Sequence, residues 1–183
     1  MSVMEFVLVA HAIIVGLAVA EVLRGFAELL RSEGARVNYR LLLIAAWTLL
    51  LLLQVWWSIW RVGDRAVWTF TEFILFLLPV GILYLLARLS FPAMLANTDL
   101  DAYYRRISRV LWWLIASVYA SFALMLTPFV YGGFSPFVFA SQAGIAVLAI
   151  IASMVQSRAF QLMVIVLMLA QVLWRGLSYS VGS

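Results

Sequence analysis

The chain has 183 residues, of which 67% are hydrophobic and 11% are charged, and its mean hydropathy is +1.10. A water-soluble domain of this size has too little polar surface to cover so many apolar side chains, so the composition excludes that class and makes the lipid bilayer the expected solvent. The net charge of +4 comes from arginines scattered along the chain, which indicates membrane topology rather than nucleic-acid binding.

The residue types that are missing restrict the chemistry of the chain. The sequence has no cysteine, no lysine and a single histidine, His11, which excludes disulfides, iron–sulfur clusters, histidine-rich metal centres and a lysine Schiff base. It also lacks the H-E-x-x-H, G-x-S-x-G and P-loop motifs of common enzyme sites. We therefore predict no bound metal and no cofactor. No motif supports an enzyme. Lipid or quinone that co-purifies in stoichiometric amount would favour an enzyme acting on such a molecule.

Six apolar segments recur along the chain, each near the roughly 20 residues that cross the hydrocarbon core of a bilayer. They predict an all-α, polytopic integral membrane protein with about six transmembrane helices, short loops and a single domain over residues 1–183. The predicted spans are 5–27, 41–60, 68–89, 110–130, 136–155 and 160–178. We expect the first span to stay in the mature protein, because it has no basic leader and continues past Glu21 without a small-residue cleavage pattern.

The first predicted span contains ionisable side chains, which share one broad face of the helix at about 100° per residue. They are His11, Glu21, Arg24, Glu28 and Arg31. Because a charge near the bilayer centre costs about 3 kcal/mol on insertion scales, this face is expected to meet protein or water rather than lipid.

Three arrangements of Glu21 meet that requirement. The first is a local ladder, in which Glu21 pairs with Arg24 at i,i+3 and Arg24 pairs with Glu28 at i,i+4. In the second, Glu21 lines a cavity from the cytoplasm and binds a cation or carries a proton. In the third, it pairs with an arginine of another subunit. His11 lies about 15 Å from Glu21 along the helix axis, and a hydrogen bond to a neighbouring helix is its more usual role.

The two other faces of the first span are predicted to have different surroundings. A strip of larger apolar side chains is expected to face lipid, and it contains Leu8, Val15, Val19, Val22 and Phe26. A row of small residues spaced by four favours close contact with another helix, and it contains Ala12, Gly16 and Ala20.

Glu72 lies about one turn inside Trp68 in the third predicted span. One interpretation pairs Glu72 with Arg61 or Arg65 of the preceding loop at the outer interface. The other makes it the outer counterpart of Glu21, so that two carboxylates lie at opposite ends of one path.

Two connections have recognisable turn and capping signals. In segment 90–109, Pro92 is expected to end the third helix, and Thr98 with Asp101 predicts a capping box that begins a polar extension of the fourth helix. Segment 127–137, "TPFVYGGFSPF", predicts a tight exposed turn because it contains two prolines and two glycines, and a short re-entrant segment is the alternative.

Three glutamines, Gln54, Gln142 and Gln171, lie well inside predicted spans. Interhelical hydrogen bonds, each contributing about 1 kcal/mol, are their usual role, and lining a polar passage is the alternative. Gln54 and Gln171 each precede a valine in "LLLLQVWW" and "LMLAQVLW", a weak internal echo of the kind that some transporters show in parallel repeats.

The arginines also predict the orientation of the chain. Nine of the twelve fall on one side of the predicted bundle, which places loops 1–2, 3–4 and 5–6 in the cytoplasm and both termini outside. Tryptophans are expected at the two headgroup levels. The outer belt is predicted to contain Trp56, Trp57, Trp60, Trp68 and Trp174, and the inner belt Trp112 and Trp113.

The pattern is similar to that of small multi-pass proteins of the bacterial inner membrane, a likeness that implies no function. The intramembrane ionisable face favours a small channel or transporter for an ion, proton or small solute. The pathway candidates are Glu21, Arg24, His11, Glu72, Gln54 and Gln171. The alternative is a non-transporting assembly or accessory protein whose polar groups join helices or subunits. The expected partners are the lipid bilayer and further copies of the chain, with no nucleic acid.

Overall fold

The computed structural model describes residues 3–32, 37–59, 67–93, 98–125 and 135–178. Within these residues the chain forms six α-helices, each long and apolar enough to cross a membrane. They are α1 (Val3–Arg31), α2 (Tyr39–Ser58), α3 (Phe70–Leu89), α4 (Leu100–Met125), α5 (Pro136–Met154) and α6 (Arg158–Ser178). The predicted all-helical class and its six helices are confirmed. Some predicted features lie outside the described residues, namely Arg36, Trp60, Arg61, Arg65, both chain termini and most of the 127–137 turn.

Consecutive helices run in opposite directions, because the starts of α2, α4 and α6 meet at the same end of the bundle. At one end of the bundle, Asn38 before α2 donates a hydrogen bond to Asp101 in the first turn of α4. Arg158, the first residue of α6, places its Nη2 3.5 Å from the Asp101 Oδ2. The end of α3 lies beside them, since the Tyr103 hydroxyl donates to the Leu89 carbonyl at 3.0 Å.

The two ends of the bundle differ in composition, and we name them accordingly. The arginine-rich end contains Arg24, Arg31, Arg40, Arg88, Arg105, Arg106, Arg109 and Arg158. The tryptophan-rich end contains Trp56, Trp57, Trp68 and Trp174. Three of these four tryptophans, Trp56, Trp57 and Trp174, are exposed, as side chains at a headgroup level would be.

The most buried helix is α4, which packs against α3 and α5, while α1 packs on α3 and α2 packs on α6. One predicted position is wrong here. Trp112, expected in the inner aromatic belt, is fully buried and donates from Nε1 to the Tyr104 hydroxyl at 3.1 Å, whereas Trp113 is 47% exposed. The two residues point about 100° apart on α4, and here one direction leads into the core and the other out of it.

The faces of α1 are exchanged relative to the prediction. Val15 and Val22 of the expected lipid strip are buried in the core, whereas the small residues Ala12, Gly16 and Ala20 are exposed. The buried face has heptad-like spacing and contains Val7, His11, Val15, Ala18, Val22 and Gly25. Burial of the branched side chains removes more apolar area and forms more dispersion contacts than burial of the small row would.

The helix starts use polar caps, one of them different from the prediction. Asp99, rather than Thr98 with Asp101, caps α4, because its Oδ1 accepts from the backbone N–H groups of Asp101 and Ala102 at 2.9 and 3.2 Å. The carboxylate of Asp101 is thereby left for the other helix starts. The predicted polar extension of the fourth helix is confirmed, since α4 begins at Leu100.

Gly25 permits the close approach of α1 to the segment after α3. A Cβ atom at this position would overlap the ring of Phe91, which is itself buried and meets the Phe26 ring edge-on at 5.3 Å between centroids. At Gly16, by contrast, an added Cβ atom meets nothing within 4 Å. The same substitution at these two helical glycines therefore separates packing from helix propensity.

We expect Gly25→Ala to lower the free energy of unfolding by about 1–3 kcal/mol through overpacking. Gly16→Ala serves as the matched control, and it should be neutral or slightly stabilising because alanine favours helix by about 1 kcal/mol. Thermal unfolding of the two variants in detergent measures the difference. Adding Phe91→Leu to Gly25→Ala should recover part of the loss, and equal melting temperatures for the two alanine variants would contradict the packing.

Candidate functional site

A cavity with about 70 Å³ of internal space lies in the half of the bundle nearer the tryptophan-rich end. All six helices contribute side chains to it. Its polar lining consists of His11, Gln54, Ser58, Tyr119, Gln142, Gln171 and Arg175. The remaining lining is aliphatic or aromatic, so a few polar groups converge on an otherwise apolar space, as is typical of small-molecule sites.

Arg175, in the last turn of α6, is the cationic residue of this lining. In the amide orientation that hydrogen bonding favours, the Gln142 side-chain oxygen accepts from both Nη atoms of Arg175, at 2.8 and 2.7 Å. Gln142 is 1% exposed, so α5 offers this acceptor from inside the protein. The sequence pattern predicts Arg175 only as one of the outer-side arginines and gives no sign of its contact with Gln142.

Two further side chains of the lining, His11 and Tyr119, are buried without a partner in the described part of the chain. The His11 Nδ1 and the Tyr119 hydroxyl each lack a hydrogen bond there, and the two residues are 2% and 1% exposed. Their rings pack on aromatic neighbours, His11 against Phe76 at 5.2 Å and Tyr119 against Trp47 at 5.8 Å between centroids. Buried polar atoms normally have partners, so these two are notable features of the cavity.

The glutamines combine the two roles that their positions predict. Gln54 of α2 donates from Nε2 to the Val172 carbonyl of α6 at 3.1 Å, an interhelical bond, and it also lines the cavity. Gln171 lines the cavity next to Val172. The two segments of the weak internal echo therefore pack side by side.

Glu21 and Arg24 form the predicted local ladder, away from the cavity lining. Arg24 donates from Nη2 to the Glu21 Oε2 at 2.7 Å and from Nη1 to the Glu28 Oε1 at 2.6 Å. Arg88, in the last turn of α3, adds a second cation with its Nη1 3.4 Å from the same Glu21 oxygen. The Glu21 side chain is 24% exposed and that of Arg24 43%, so the ladder lies at the surface of the chain.

Glu72 occupies a third location, at the start of α3. Its Oε2 accepts from the Thr69 backbone N–H at 2.8 Å and from the Thr69 hydroxyl at 3.0 Å, while its own N–H donates to the Thr69 Oγ1 at 3.2 Å. This is a capping box. The candidates therefore divide into His11, Gln54 and Gln171 at the cavity, Glu21 and Arg24 in the ladder, and Glu72 at the cap.

A buried polar cluster closes the bundle near the arginine-rich end. Gln161 of α6, 1% exposed, accepts at Oε1 from the Arg40 Nη1 and from the Tyr104 hydroxyl, both at 2.9 Å, and donates from Nε2 to the Ala152 carbonyl at 3.1 Å. The Arg40 guanidinium also lies 4.3 Å from the centroid of the Tyr104 ring. The cluster joins α2, α4, α5 and α6.

This cluster is not predicted by the sequence pattern. Arg40 has the position of an ordinary flanking arginine, and Gln161 lies in the first turn of α6, where a polar residue suggests exposure. The one sequence feature that points to the cluster is the pair Tyr103 and Tyr104 at the start of α4, because a tyrosine hydroxyl needs a partner when its ring is buried.

Metal binding has no support in the described part of the chain, because no three His, Asp or Glu side chains lie close enough there to hold an ion. No family model matches this chain, and no curated protein or solved structure matches it. The geometry of the cavity and the clusters is therefore the basis for any assignment.

We expect Gln161→Leu to lower the free energy of unfolding by about 3 kcal/mol, because it leaves the Arg40 guanidinium and the Tyr104 hydroxyl buried without their acceptor. The exposed Gln156→Leu, the same change at the arginine-rich end, is the control and should have little effect. Gln161→Glu keeps an acceptor for both donors and should lose less. Chemical denaturation in detergent measures all three, and equal stability of the two leucine variants would contradict a closing role.

Proposed function

We propose that the six helices cross a lipid bilayer, with the arginine-rich end in the cytoplasm and the tryptophan-rich end outside. The loops 1–2, 3–4 and 5–6 are then cytoplasmic and both termini are external. The arginine distribution supports this orientation, and the exposed large apolar side chains along the helices support lipid contact. Ile13, Leu17, Val166 and Leu173 are among these exposed residues.

The function that the geometry supports best is transport of a small solute through the cavity. The observation that carries this proposal is the cavity itself, to which five of the six helices, all except α3, bring polar groups inside an apolar bundle. Polar side chains in membrane helices are costly, and they mark solute pathways when they converge on one space. The buried polar atoms of His11 and Tyr119 support a polar occupant.

The packing between the cavity and the cytoplasmic end favours a carrier over an open channel. Tyr119 lines the cavity and Tyr104 belongs to the closing cluster, about 22 Å away along α4. Between them Leu111, Trp112 and Ile115 are fully buried. A solute that enters from outside therefore meets packed side chains, and passage requires the helices to rearrange, as in alternating access.

Flux in liposomes tests the transport proposal. We expect wild-type protein to move at least one of protons, Na⁺, K⁺, Cl⁻ and benzoate, and Gln171→Leu to reduce that flux by about tenfold, because it removes a polar contact of the cavity. Gln156→Leu, the same change at an exposed position, should keep wild-type flux.

Glu21→Gln distinguishes the cavity from the ladder as the route. Unchanged flux in this variant, together with lost flux in Gln171→Leu, supports the cavity. The reverse pattern would move the route to the face of Glu21 and Arg24, and no flux of any of the five solutes would remove the transport proposal.

The second candidate is an assembly or accessory protein, and the surface of α1 favours it. The ladder of Glu21, Arg24 and Glu28 is solvent-accessible in the single chain, and so is the adjacent small-residue row at Ala12, Gly16 and Ala20. In a bilayer such a surface suits contact with a further copy of the chain or another membrane protein.

We expect Glu21→Gln to change the free energy of unfolding by less than about 1 kcal/mol, because partly exposed pairs contribute little. Native mass spectrometry of wild type and Glu21→Gln tests the assembly function. The same subunit number in both supports a local role for the ladder, whereas a wild-type oligomer that dissociates in the variant would favour assembly.

A further inference from the structure

We propose that the cavity binds an organic anion, a carboxylate attached to an apolar body, with its carboxylate on the Arg175 guanidinium. This inference rests on the proposed function of the cavity and names the class of its solute. It follows from the charge of the lining, from two buried polar atoms and from the apolar remainder of the surface.

The charge of the cavity lining is positive. Arg175 has no carboxylate oxygen within 4.0 Å among the described residues, and its partner Gln142 is neutral. Among the described residues, no acidic side chain belongs to the lining. At the other end, Arg24, Arg88 and Arg158 all lie beside carboxylates. Among the described residues, the hydrogen-bond partner of the Arg175 guanidinium is therefore a neutral amide and not a carboxylate.

An arginine in this position favours an anionic partner on energetic grounds. A guanidinium has more N–H donors than one amide oxygen can accept, and its planar fork matches a carboxylate. The C-terminus of α6 offers a favourable dipole, but this effect falls short of the cost of a cation in an apolar setting. A charge-assisted hydrogen bond to a carboxylate is roughly twice as strong as a neutral one.

His11 and Tyr119 supply a second and independent indication of a polar ligand. Both are more than nine-tenths buried, both line the cavity, and their Nδ1 and hydroxyl have no hydrogen-bond partner in the described residues. A phenol hydroxyl donates readily to a carboxylate oxygen, and a histidine nitrogen can donate or accept. Neither group requires a cation.

The rest of the lining selects for an apolar body on the ligand. It includes Leu51, Val55, Phe76, Val80, Phe122 and Val172. A bare inorganic anion would leave these side chains unmatched, and a sugar phosphate would bury hydroxyl groups against them at a cost. One arginine, rather than two, matches a single negative charge. An aliphatic or aromatic monocarboxylate satisfies both parts of the lining.

The test is binding to the full chain in nanodiscs of neutral phosphatidylcholine, measured by calorimetry at pH 7. Benzoate represents a carboxylate that arrives from water, and palmitate one that arrives from the bilayer. Benzamide and palmitamide are their neutral counterparts, and inorganic phosphate is the anion without an apolar body. We expect at least one carboxylate to bind about tenfold or more tightly than its amide and than phosphate, and the one that binds identifies the source.

Arg175→Gln should weaken the binding of that carboxylate by about tenfold or more, whereas Arg105→Gln, the same loss of charge at an exposed position of the arginine-rich end, should leave it unchanged. Arg175→Lys keeps the charge without the fork and should give an intermediate affinity. If Arg175→Gln does not fold, Arg175→Lys with Tyr119→Phe replaces it, and each should weaken the carboxylate without affecting its amide.

Equal affinity for a carboxylate and its amide, binding of phosphate as tight as that of benzoate, or wild-type affinity in the folded variants would overturn the inference. These failures differ from failure of transport. Carboxylate binding without flux would keep the site and remove transport, whereas Gln171-dependent flux of a cation without carboxylate binding would keep transport and remove this ligand class.

Discussion

The requirement that a polar group inside an apolar bundle find its partner within the protein governs this structure. In a membrane no water competes for buried donors and acceptors, so each of them must be matched by another helix or by a ligand. At the arginine-rich end the requirement is met. Gln161 accepts from both Arg40 and Tyr104 and donates to Ala152, and Asp101 joins the starts of three helices. The packing of α4 among its neighbours depends on these matches, because an unmatched guanidinium there would oppose burial of the surrounding apolar side chains.

The tryptophan-rich half of the bundle leaves the same requirement only partly met. Arg175 has an amide for a partner, and His11 and Tyr119 offer polar atoms to the cavity without a match in the described residues. The proposed transport uses this contrast, since a fully satisfied cluster rigidifies its end of the bundle whereas a partly satisfied one can exchange its missing contacts for a solute. A matched arginine-rich end and an unmatched cavity near the tryptophan-rich end form the asymmetry on which the proposed transport rests.

Much of the fold could be predicted from the sequence, and the parts that could not share a cause. Length and hydropathy predicted six helices, and the i,i+3 and i,i+4 spacing of Glu21, Arg24 and Glu28 predicted the ladder, because both depend on local order along the chain. The buried face of α1, the burial of Trp112 and the Gln142–Arg175 contact depend instead on which helices are neighbours. In a membrane helix both lipid-facing and core-facing residues are apolar, so hydropathy does not separate them, and Val15 and Val22 had the same signal as true lipid-facing residues.

Contacts between helices also explain why the proposed solute is an anion, whereas the sequence suggested a cation or a proton. The charges of α1 are close in sequence, and the carboxylate of Glu21 among them predicts a cation or a proton as the solute. Glu21 is, however, neutralised by Arg24 and accompanied by Arg88, so the ladder has little charge left to offer a solute. Arg175 stands alone in sequence, yet the fold surrounds it with neutral side chains in a cavity. The strength of a charge as a binding determinant thus depends on its neighbours in space, and the neutral neighbours of Arg175 favour an anion over a cation as the proposed solute.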